Sequence, residues 1–363
     1  MKGKIRVERN VWQCSACRRS HAPFDLAMGV APGGKWTQGV EYKAAYLAAL
    51  LPFAEASRAL LKLSELKISS SEIDRIAQHH GDAMDAEQRR SEEAWRQPID
   101  PLRENPQPEI CCERLVIEAD ATSVLTVAGE EHKSVYCATA FALEDRGKSG
   151  DRPFIAQRLY TASAENMDDF SERLKALGWR AGMRQAQVAF IGDGAACLWK
   201  WAEENLPSDT VFIQDFWHVC ERLADLAKTL FPKGWEQTFA KWRKWLRTSK
   251  TTRLIKTLTD LHARRRGEAR KALAVEIGYL RNGRHRMDYA RYKREGWLIG
   301  SGAVEGTCKH LVKTRFNVTG ARWRRGNIHK VLALRLSLFN NEWEDYWNER
   351  VPLPSQEELP RAA

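Results

Sequence analysis

The spacing of apolar residues changes character near residue 110. Before that point, apolar residues recur every three or four positions, which is typical of amphipathic helices. After it come short, nearly continuous apolar runs separated by polar links, which are typical of buried strands. The pattern therefore predicts a helical N-terminal part followed by a part that contains a sheet.

Residues 37–96 predict a small helical domain. Thr37 is placed to cap a first helix, and Pro52 suits the first turn of a second. A capping-box pattern, Ser69-Ser70-Ser71-Glu72, opens a third helix. Two short helices joined by a tight turn fit either a DNA-reading helix-turn-helix or an ordinary helical bundle, and the pattern does not choose between them.

Residues 97–109 contain several prolines and predict a linker. The following region, 110–215, predicts the order βββαβαβ, which is an α/β fold with a mixed sheet and helices packed on it. We expect the first strand to be central and the fourth to lie beside it. The five strands are predicted at Leu115–Ala119, Val135–Leu143, Phe154–Tyr160, Val188–Ile191 and Thr210–Gln214.

The rest of the chain predicts helices and then a tail. Residues 216–299 are helical and basic, and we interpret them as an insertion. The glycines of Gly300-Ser301-Gly302 interrupt the pattern before a last helical region, 300–348, which we assign to the same core as the sheet. Residues 349–363 contain three prolines and predict a disordered tail.

Charge is distributed very unevenly. Residues 241–335 contain 26 Lys and Arg against 6 Asp and Glu, a local charge of +20. Because the whole chain carries +11, the remainder carries about −9. A basic block of this size predicts a polyanionic partner, and nucleic acid is favoured over a membrane because no apolar run is long enough to span one. Five tryptophans in or beside the block can stack on bases or pack in a core: Trp235, Trp242, Trp245, Trp297 and Trp323.

The length of 363 residues predicts two or three domains. The start of the chain is polar rather than apolar, so no signal peptide is expected. The eight cysteines suit reduced thiols, and we expect a cytoplasmic, nucleoid-associated protein. Residues 1–36 contain Cys14 and Cys17 in a Cys-x2-Cys pair, which is half of a zinc site, so bound Zn²⁺ is an open alternative there.

Three carboxylates lie where the pattern predicts chemistry. Asp120 ends the first strand, Asp193 follows the fourth between two glycines, and Glu305 follows Gly300-Ser301-Gly302. The two aspartates are expected to be neighbours, and Ser301 is placed to cap the helix of Glu305. Such oxygen ligands suit Mg²⁺ or Mn²⁺, which can activate water against a phosphodiester.

Each carboxylate also has a purely structural interpretation. Asp193 can be a turn residue, Glu305 a partner of the helix dipole, and Asp120 an N-cap. Taken together, with a basic block around the third, the three favour a metal site.

The motif Gly300-Ser301-Gly302-Ala303-Val304-Glu305, followed by Lys309, Arg315, Gly320 and Arg322-Trp323, resembles the ISKra-type insertion-sequence transposases. These are DDE transposases related to the Mutator-like superfamily. That superfamily has Cys or Asp, then two intervening residues, then His just after the fifth strand, and Asp215 and His218 match this pattern. The resemblance implies an RNase H-like catalytic core.

The resemblance also implies roles for individual residues. Asp120, Asp193 and Glu305 would be the metal-holding catalytic triad, and His218 an accessory catalytic residue. Glu118, two residues before Asp120, is a rival for the first position. We prefer Asp120 because it lies at the strand end and precedes Ala121-Thr122, which is near the Asp-Gly pattern of the family.

The implied activity is DNA transposition. The protein would bind the inverted-repeat ends of its insertion sequence, cut 3′ ends and join them to target DNA, and we expect a homodimer or larger assembly on DNA. Two alternatives stay open: an inactive or truncated transposase-derived DNA-binding protein, and a structure-selective nuclease. Phosphate contacts near the cut are expected from Lys309, Lys313, Arg315, Arg322, Arg324 and Arg325.

Overall fold

The computed structural model describes residues 11–18, 20–21, 30, 35–97, 105–145 and 153–350. It divides the chain into two compact units. One unit comprises Arg89–Trp323, and the other comprises the residues up to Gln88 together with those from Arg324 onwards. Most of the predicted tail, residues 351–363, and residues 98–104 of the predicted linker lie outside the described residues.

The sheet of the Arg89–Trp323 unit has five strands and is mixed, as predicted. The first three strands, β3, β4 and β5, are antiparallel neighbours, whereas β6 runs parallel to β3 and β7 parallel to β6. The order across the sheet is β5-β4-β3-β6-β7, so the predicted central position of the first strand is confirmed. The strands are Arg114–Val124 (β3), Lys133–Glu144 (β4), Phe154–Ser163 (β5), Gln187–Gly192 (β6) and Val211–Gln214 (β7).

Alternate residues of the central strands serve two separate cores, because successive side chains of a strand point to opposite faces. Ile117 and Phe190 pack under the helices Met167–Arg180 (α4) and Ala196–Asn205 (α5). Val116 and Ile191 face the opposite way, toward the helices that follow the sheet in sequence. Glu118 and Asp120 lie on this second face, since they follow Val116 at intervals of two.

The helices that follow β7 cover the second face of the sheet. They contribute large buried side chains to its core, among them Trp242 and Tyr289. After them come Gly302–Thr307 (α11), a π-helical turn at Cys308–Lys313, and Thr314–Phe316 (α12). The covering helices are Phe216–Leu230 (α6), Trp235–Arg247 (α7), Thr251–Arg264 (α8), Gly267–Gly283 (α9) and Tyr289–Arg294 (α10).

The second unit is helical, with a hairpin of two-residue strands at Trp12–Gln13 (β1) and Ser20–His21 (β2). Its core combines small alanines of α1 with aromatic side chains of α14, such as Trp343 and Trp347. The helices of this unit are Gln38–Leu50 (α1), Phe53–Ser64 (α2), Ser70–Arg96 (α3), Arg325–Phe339 (α13) and Trp343–Asn348 (α14), with the boundary falling inside α3.

Two expectations for this unit need refinement. The side chain of Thr37 precedes α1 as predicted but forms no capping hydrogen bond among the described residues, whereas the Ser69 hydroxyl accepts the N–H of Glu72 at 3.2 Å. We assigned residues 300–348 to the sheet-containing core, yet residues from Arg324 onwards group with α1–α3 instead. The reason is that α13 buries apolar side chains among the alanines of α1. In the described ranges, no helix is long and apolar enough to cross a membrane.

Candidate active site

Asp120 and Asp193 come from neighbouring strands of the sheet. The parallel register of β3 and β6 pairs Glu118 with Ile191; Asp120 lies two residues further along within β3, and Asp193 lies two residues after Ile191, directly after β6. The prediction that Asp120 ends its strand is wrong, because β3 continues to Val124. Burial raises the pKa of Asp120, and the negative charge of Asp193 raises it further. The two carboxylates are therefore close enough to repel each other, as the predicted strand order required.

The turn after β6 holds Asp193 in place. Its Oδ1 accepts the N–H of Ala195 at 3.1 Å, and its carbonyl oxygen accepts hydrogen bonds from Gln214 and Tyr279. Gly194 has a φ of +122°, and a Cβ at this position would lie 2.9 Å from the Gln214 side chain. Asp193 is therefore both a turn residue and a candidate metal ligand, because only one of its side-chain oxygens, Oδ1, is used in the turn.

Glu305 and Asp120 line the same cleft, which has a volume of about 680 Å³. Burial raises the pKa of Glu305, and the charges of Asp215 and Asp120 are the next causes. The side chain is exposed on α11. The cleft is lined by Asp120, Gly302, Glu305, Gly306, Cys308, Lys309, Lys313 and Thr314.

Glu118 occupies a different environment from Asp120, although both lie on the same face of β3. Glu118 is fully buried, and its Oε2 accepts the N–H of Val304 at 2.8 Å. Burial raises its pKa to about 8. Asp120 is partly exposed and lines the cleft, so the geometry favours Asp120 over its rival as the residue that can reach a substrate or a metal.

Asp215 connects the end of β7 to the segment that leads into α11. Its Oδ1 caps α6 by accepting the N–H groups of Trp217 and His218, and its Oδ2 accepts both the N–H and the hydroxyl of Ser301. The prediction that Ser301 caps the helix of Glu305 through its side chain is wrong, because its hydroxyl donates to Asp215 instead.

The first turns of α6 contribute two more groups to the surroundings of Glu305. His218 is half-buried and lowers the pKa of Glu305, whereas Glu221, one turn further on, raises it. His218 was anticipated from its spacing to Asp215. Glu221 was not, although it continues that spacing by another three residues, which is the distance between neighbours on one helix face.

Cys308 is a second residue that sequence reasoning missed. Its thiol lies 3.9 Å from Oδ2 of Asp120, and it begins the π-helical turn. Such turns change the direction of side chains within a helix and occur frequently at functional sites. Among the cations of the same turn, Lys309 and Lys313 line the cleft, and the charge of Lys313 lowers the pKa of Asp120.

The other predicted phosphate contacts divide into two groups. Arg322 is exposed in the sheet-containing unit, and Arg324 and Arg325 are exposed in the helical unit. Arg315 is only 2% exposed, and its guanidinium stacks on the ring of Trp323 with 4.9 Å to the centroid. A buried, stacked guanidinium is not placed for a phosphate contact, so the expectation for Arg315 is not met in this structure.

The tryptophans of the basic block mostly belong to cores. Trp242, Trp245, Trp297 and Trp323 are buried, and Trp235 packs against the core beneath α6–α10. Trp217 differs from them: it is 60% exposed on the first turn of α6. Its ring lies against Gly300, where a Cβ would come within 2.6 Å of it.

The Cys14–Cys17 pair lies between the two strands of the N-terminal hairpin, and both thiols are exposed. Hydrogen bonds from the backbone of Cys17 and Ala16 lower the pKa of Cys14, which favours the thiolate that zinc binds. A closed zinc site requires four ligands. Zinc binding here stays a prediction.

The donor chemistry of the cleft suits a hard divalent cation. Asp120 and Glu305 offer carboxylate oxygens, and both have raised pKa values that a cation would bring down. Across the described ranges, no three His, Cys, Asp or Glu side chains already stand close enough together to hold a metal ion. Mg²⁺ keeps several waters and needs only one or two carboxylates, so a closed protein shell is not required.

Comparison with known proteins does not assign the chain to a family. A scan of the chain against protein-family models finds no match, and a search of the curated proteins finds none either.

Proposed function

We propose that this protein is a DDE-type DNA transposase of the ISKra kind, built on an RNase H-like core. The observation that carries the proposal is the position of Asp120, Asp193 and Glu305. Asp120 lies within β3 and Asp193 directly follows the adjacent parallel strand β6, each two residues beyond the paired positions, and Glu305 lines the same cleft as Asp120. Three carboxylates from three separate segments on one face of a mixed sheet suit divalent-metal chemistry on DNA.

The cations beside the cleft support DNA as the substrate. Lys309 and Lys313 are exposed and line it, so a phosphodiester placed there meets positive charge on one side and carboxylates on the other. The sequence block 241–335, which contains Glu305 and both lysines, has a local charge of +20, which suits a long polyanion better than a small ester.

Asp120, Asp193 and Glu305 would hold Mg²⁺ or Mn²⁺, which supplies an activated water and stabilises the charge of the leaving oxygen. The chain itself orients the DNA. Lys309 and Lys313 bind phosphate oxygens, while His218 lies where it can donate a proton or a hydrogen bond beside Glu305. After cutting, the freed 3′-hydroxyl would attack target DNA, and joining two ends requires a homodimer or a larger assembly.

The test uses a plasmid carrying the gene with its native flanking DNA, incubated with the protein and Mg²⁺ or Mn²⁺. The wild type should release 3′-hydroxyl ends at the element boundary and join them to a second plasmid. Asp193→Asn should reduce both reactions at least about 1,000-fold, the scale on which an essential electrostatic group acts. The matched control is Asp209→Asn, which changes an acid in the loop before β7.

The results separate the three candidate activities. Cutting and joining that require Asp193 support the transposase. Cutting without joining indicates a nuclease, and tight binding without cutting indicates a DNA-binding protein. Equal activity of the wild type and Asp193→Asn would refute the carboxylate mechanism.

A further inference from the structure

Glu118 is a fully buried carboxyl group close to the candidate site. It lies on the central strand β3 and is 0% exposed. Its cross-strand neighbours are Thr139 on β4 and Ile191 on β6. Placing a carboxyl group in such a position is unfavourable unless its oxygens are used. Among the described contacts, one oxygen of Glu118 accepts a hydrogen bond.

The donor of this hydrogen bond lies in the first turn of α11. The first N–H groups of any helix have no acceptor within the helix. Oε2 of Glu118 accepts the N–H of Val304 at 2.8 Å, and the backbone of Ala303 contributes to lowering the pKa of the same carboxyl group. Ser301, the residue placed to cap this helix, donates its hydroxyl to Asp215 instead. A strand residue 186 positions away in sequence therefore acts as the acceptor for the first turn.

The two acidic anchors hold the segment that carries Glu305. Asp215 binds Ser301, and Glu118 binds Val304, the residue directly before Glu305. The anchors come from β3 and from the end of β7, so the segment is fixed to the sheet at two points. Because Asp120 lies two residues after Glu118 on β3, one strand positions both carboxylates that line the cleft.

We propose that Glu118 is a positioning residue for Glu305: it fixes the first turn of α11 to β3 and so sets the distance between Glu305 and Asp120. It acts through Val304 and does not bind the metal itself. This role rests on the proposed function, since it matters only if Glu305 is a metal ligand. Residues that orient metal ligands typically alter metal affinity by about 10- to 100-fold when changed.

The variants separate the hydrogen bond from simple filling of space. Glu118→Gln keeps a carbonyl oxygen that can accept the Val304 N–H. Glu118→Met keeps the volume but removes the acceptor, and Glu118→Leu is a second apolar variant if the methionine does not pack. Val116→Ala is the control, because it weakens the same face of the same strand but leaves the Glu118–Val304 hydrogen bond in place.

The first measurement is hydrogen–deuterium exchange of a peptide covering residues 302–307. The apolar variant should exchange there at least about tenfold faster than the wild type, since loss of one anchoring bond of ~1.4 kcal/mol changes the opening equilibrium tenfold. Glu118→Gln and Val116→Ala should stay within about threefold. Equal exchange in the glutamine and apolar variants would overturn the proposal.

The second measurement is Mn²⁺ binding to the DNA-free protein by electron paramagnetic resonance, together with the Mn²⁺ concentration that half-saturates cleavage. The apolar variant should need about 10- to 100-fold more Mn²⁺, and the glutamine variant should recover. Faster exchange with unchanged Mn²⁺ binding would also overturn the positioning role. If Asp193→Asn cleaves as well as the wild type, the proposed function fails, and the exchange data still decide whether Glu118 anchors α11.

Discussion

Asp215 accepts two hydrogen bonds from Ser301, which lies 86 residues further along the chain. One comes from the backbone N–H at 2.7 Å and the other from the hydroxyl. The other oxygen of the same carboxylate caps α6. A single buried side chain therefore joins the strand end, the helix carrying His218 and the segment leading to Glu305.

Asp215→Ala should lower the free energy of unfolding by about 2–4 kcal/mol. It removes a helix cap, typically about 0.5–2 kcal/mol, and leaves a buried N–H without its acceptor, about 1–3 kcal/mol. Ser301→Ala loses only the hydroxyl bond and should cost about 1–2 kcal/mol. Urea unfolding measures the free energy of unfolding of both variants, and Asp215→Ala should lose more of it than Ser301→Ala. An Asp215→Ala variant as stable as the wild type would contradict the prediction.

The stability of the metal-free protein should depend on Glu118 in a defined pH window. Burial raises the pKa of Glu118 to about 8, whereas its ordinary value is 4.5. Between these values the folded chain keeps a proton that the unfolded chain has released. The stability that protonated Glu118 contributes to the folded chain is therefore fully present below pH 4.5. It is lost as the pH rises through about 8, by at most about 1.4 kcal/mol per pH unit.

Glu118→Gln has no such proton and isolates the effect. The difference in unfolding free energy between wild type and this variant should shift in favour of the variant from about pH 5 to about pH 8. Urea unfolding in EDTA at several pH values measures it. A difference that stays constant with pH would show that Glu118 titrates normally.

Asp120→Asn should stabilise the metal-free protein while abolishing its activity. Burial and the charge of Asp193 both disfavour the ionised carboxylate, so an uncharged amide of the same shape relieves the repulsion. We expect a gain of about 0.5–2 kcal/mol, the usual scale when strain at a functional site is removed. Thermal unfolding with and without Mn²⁺ tests this: the wild type should gain stability from the ion, and the variant should gain much less.

The cations of the cleft should contribute to DNA affinity through counterion release. A Lys309→Ala/Lys313→Ala double variant should reduce the slope of log K against log salt by about 2, since each phosphate contact contributes about 0.9. Lys200→Ala is the control, because Lys200 is exposed on α5, which packs on the opposite face of the sheet. Equal salt slopes for the double variant and for Lys200→Ala would show that the DNA does not contact Lys309 and Lys313.

The sheet was largely predictable because its signal is local. The strands β3 to β7 are apolar runs bounded by polar links, and their order along the chain limits the arrangements that a mixed sheet can take. This is why the sequence alone predicts Asp120 and Asp193 on neighbouring strands. The turn at Gly194 was predictable for the same reason, since a glycine directly after a strand-end aspartate indicates a sharp turn.

Contacts between distant segments were not predictable. Ser301 has the local pattern of a helix cap, and nothing in its neighbourhood indicates that Asp215 takes its hydroxyl. Arg315 belongs to a basic stretch, yet its burial against Trp323 depends on how that loop folds back. The same holds for residues 324–348, whose apolar face gives no sign of which helices will cover it.

The sequence alone determined the central place of the first strand with the fourth beside it, the neighbouring positions of two aspartates and the basic character of the region around Glu305, because periodicity and charge are properties of neighbouring residues. Only the tertiary structure decided between Glu118 and Asp120. The two share a strand and a face, and they differ only in what covers them: α11 buries the first, whereas the second lines an open cleft. Burial is set by segments far away in sequence, so the local preference for Asp120 did not establish which of the two carboxylates is exposed.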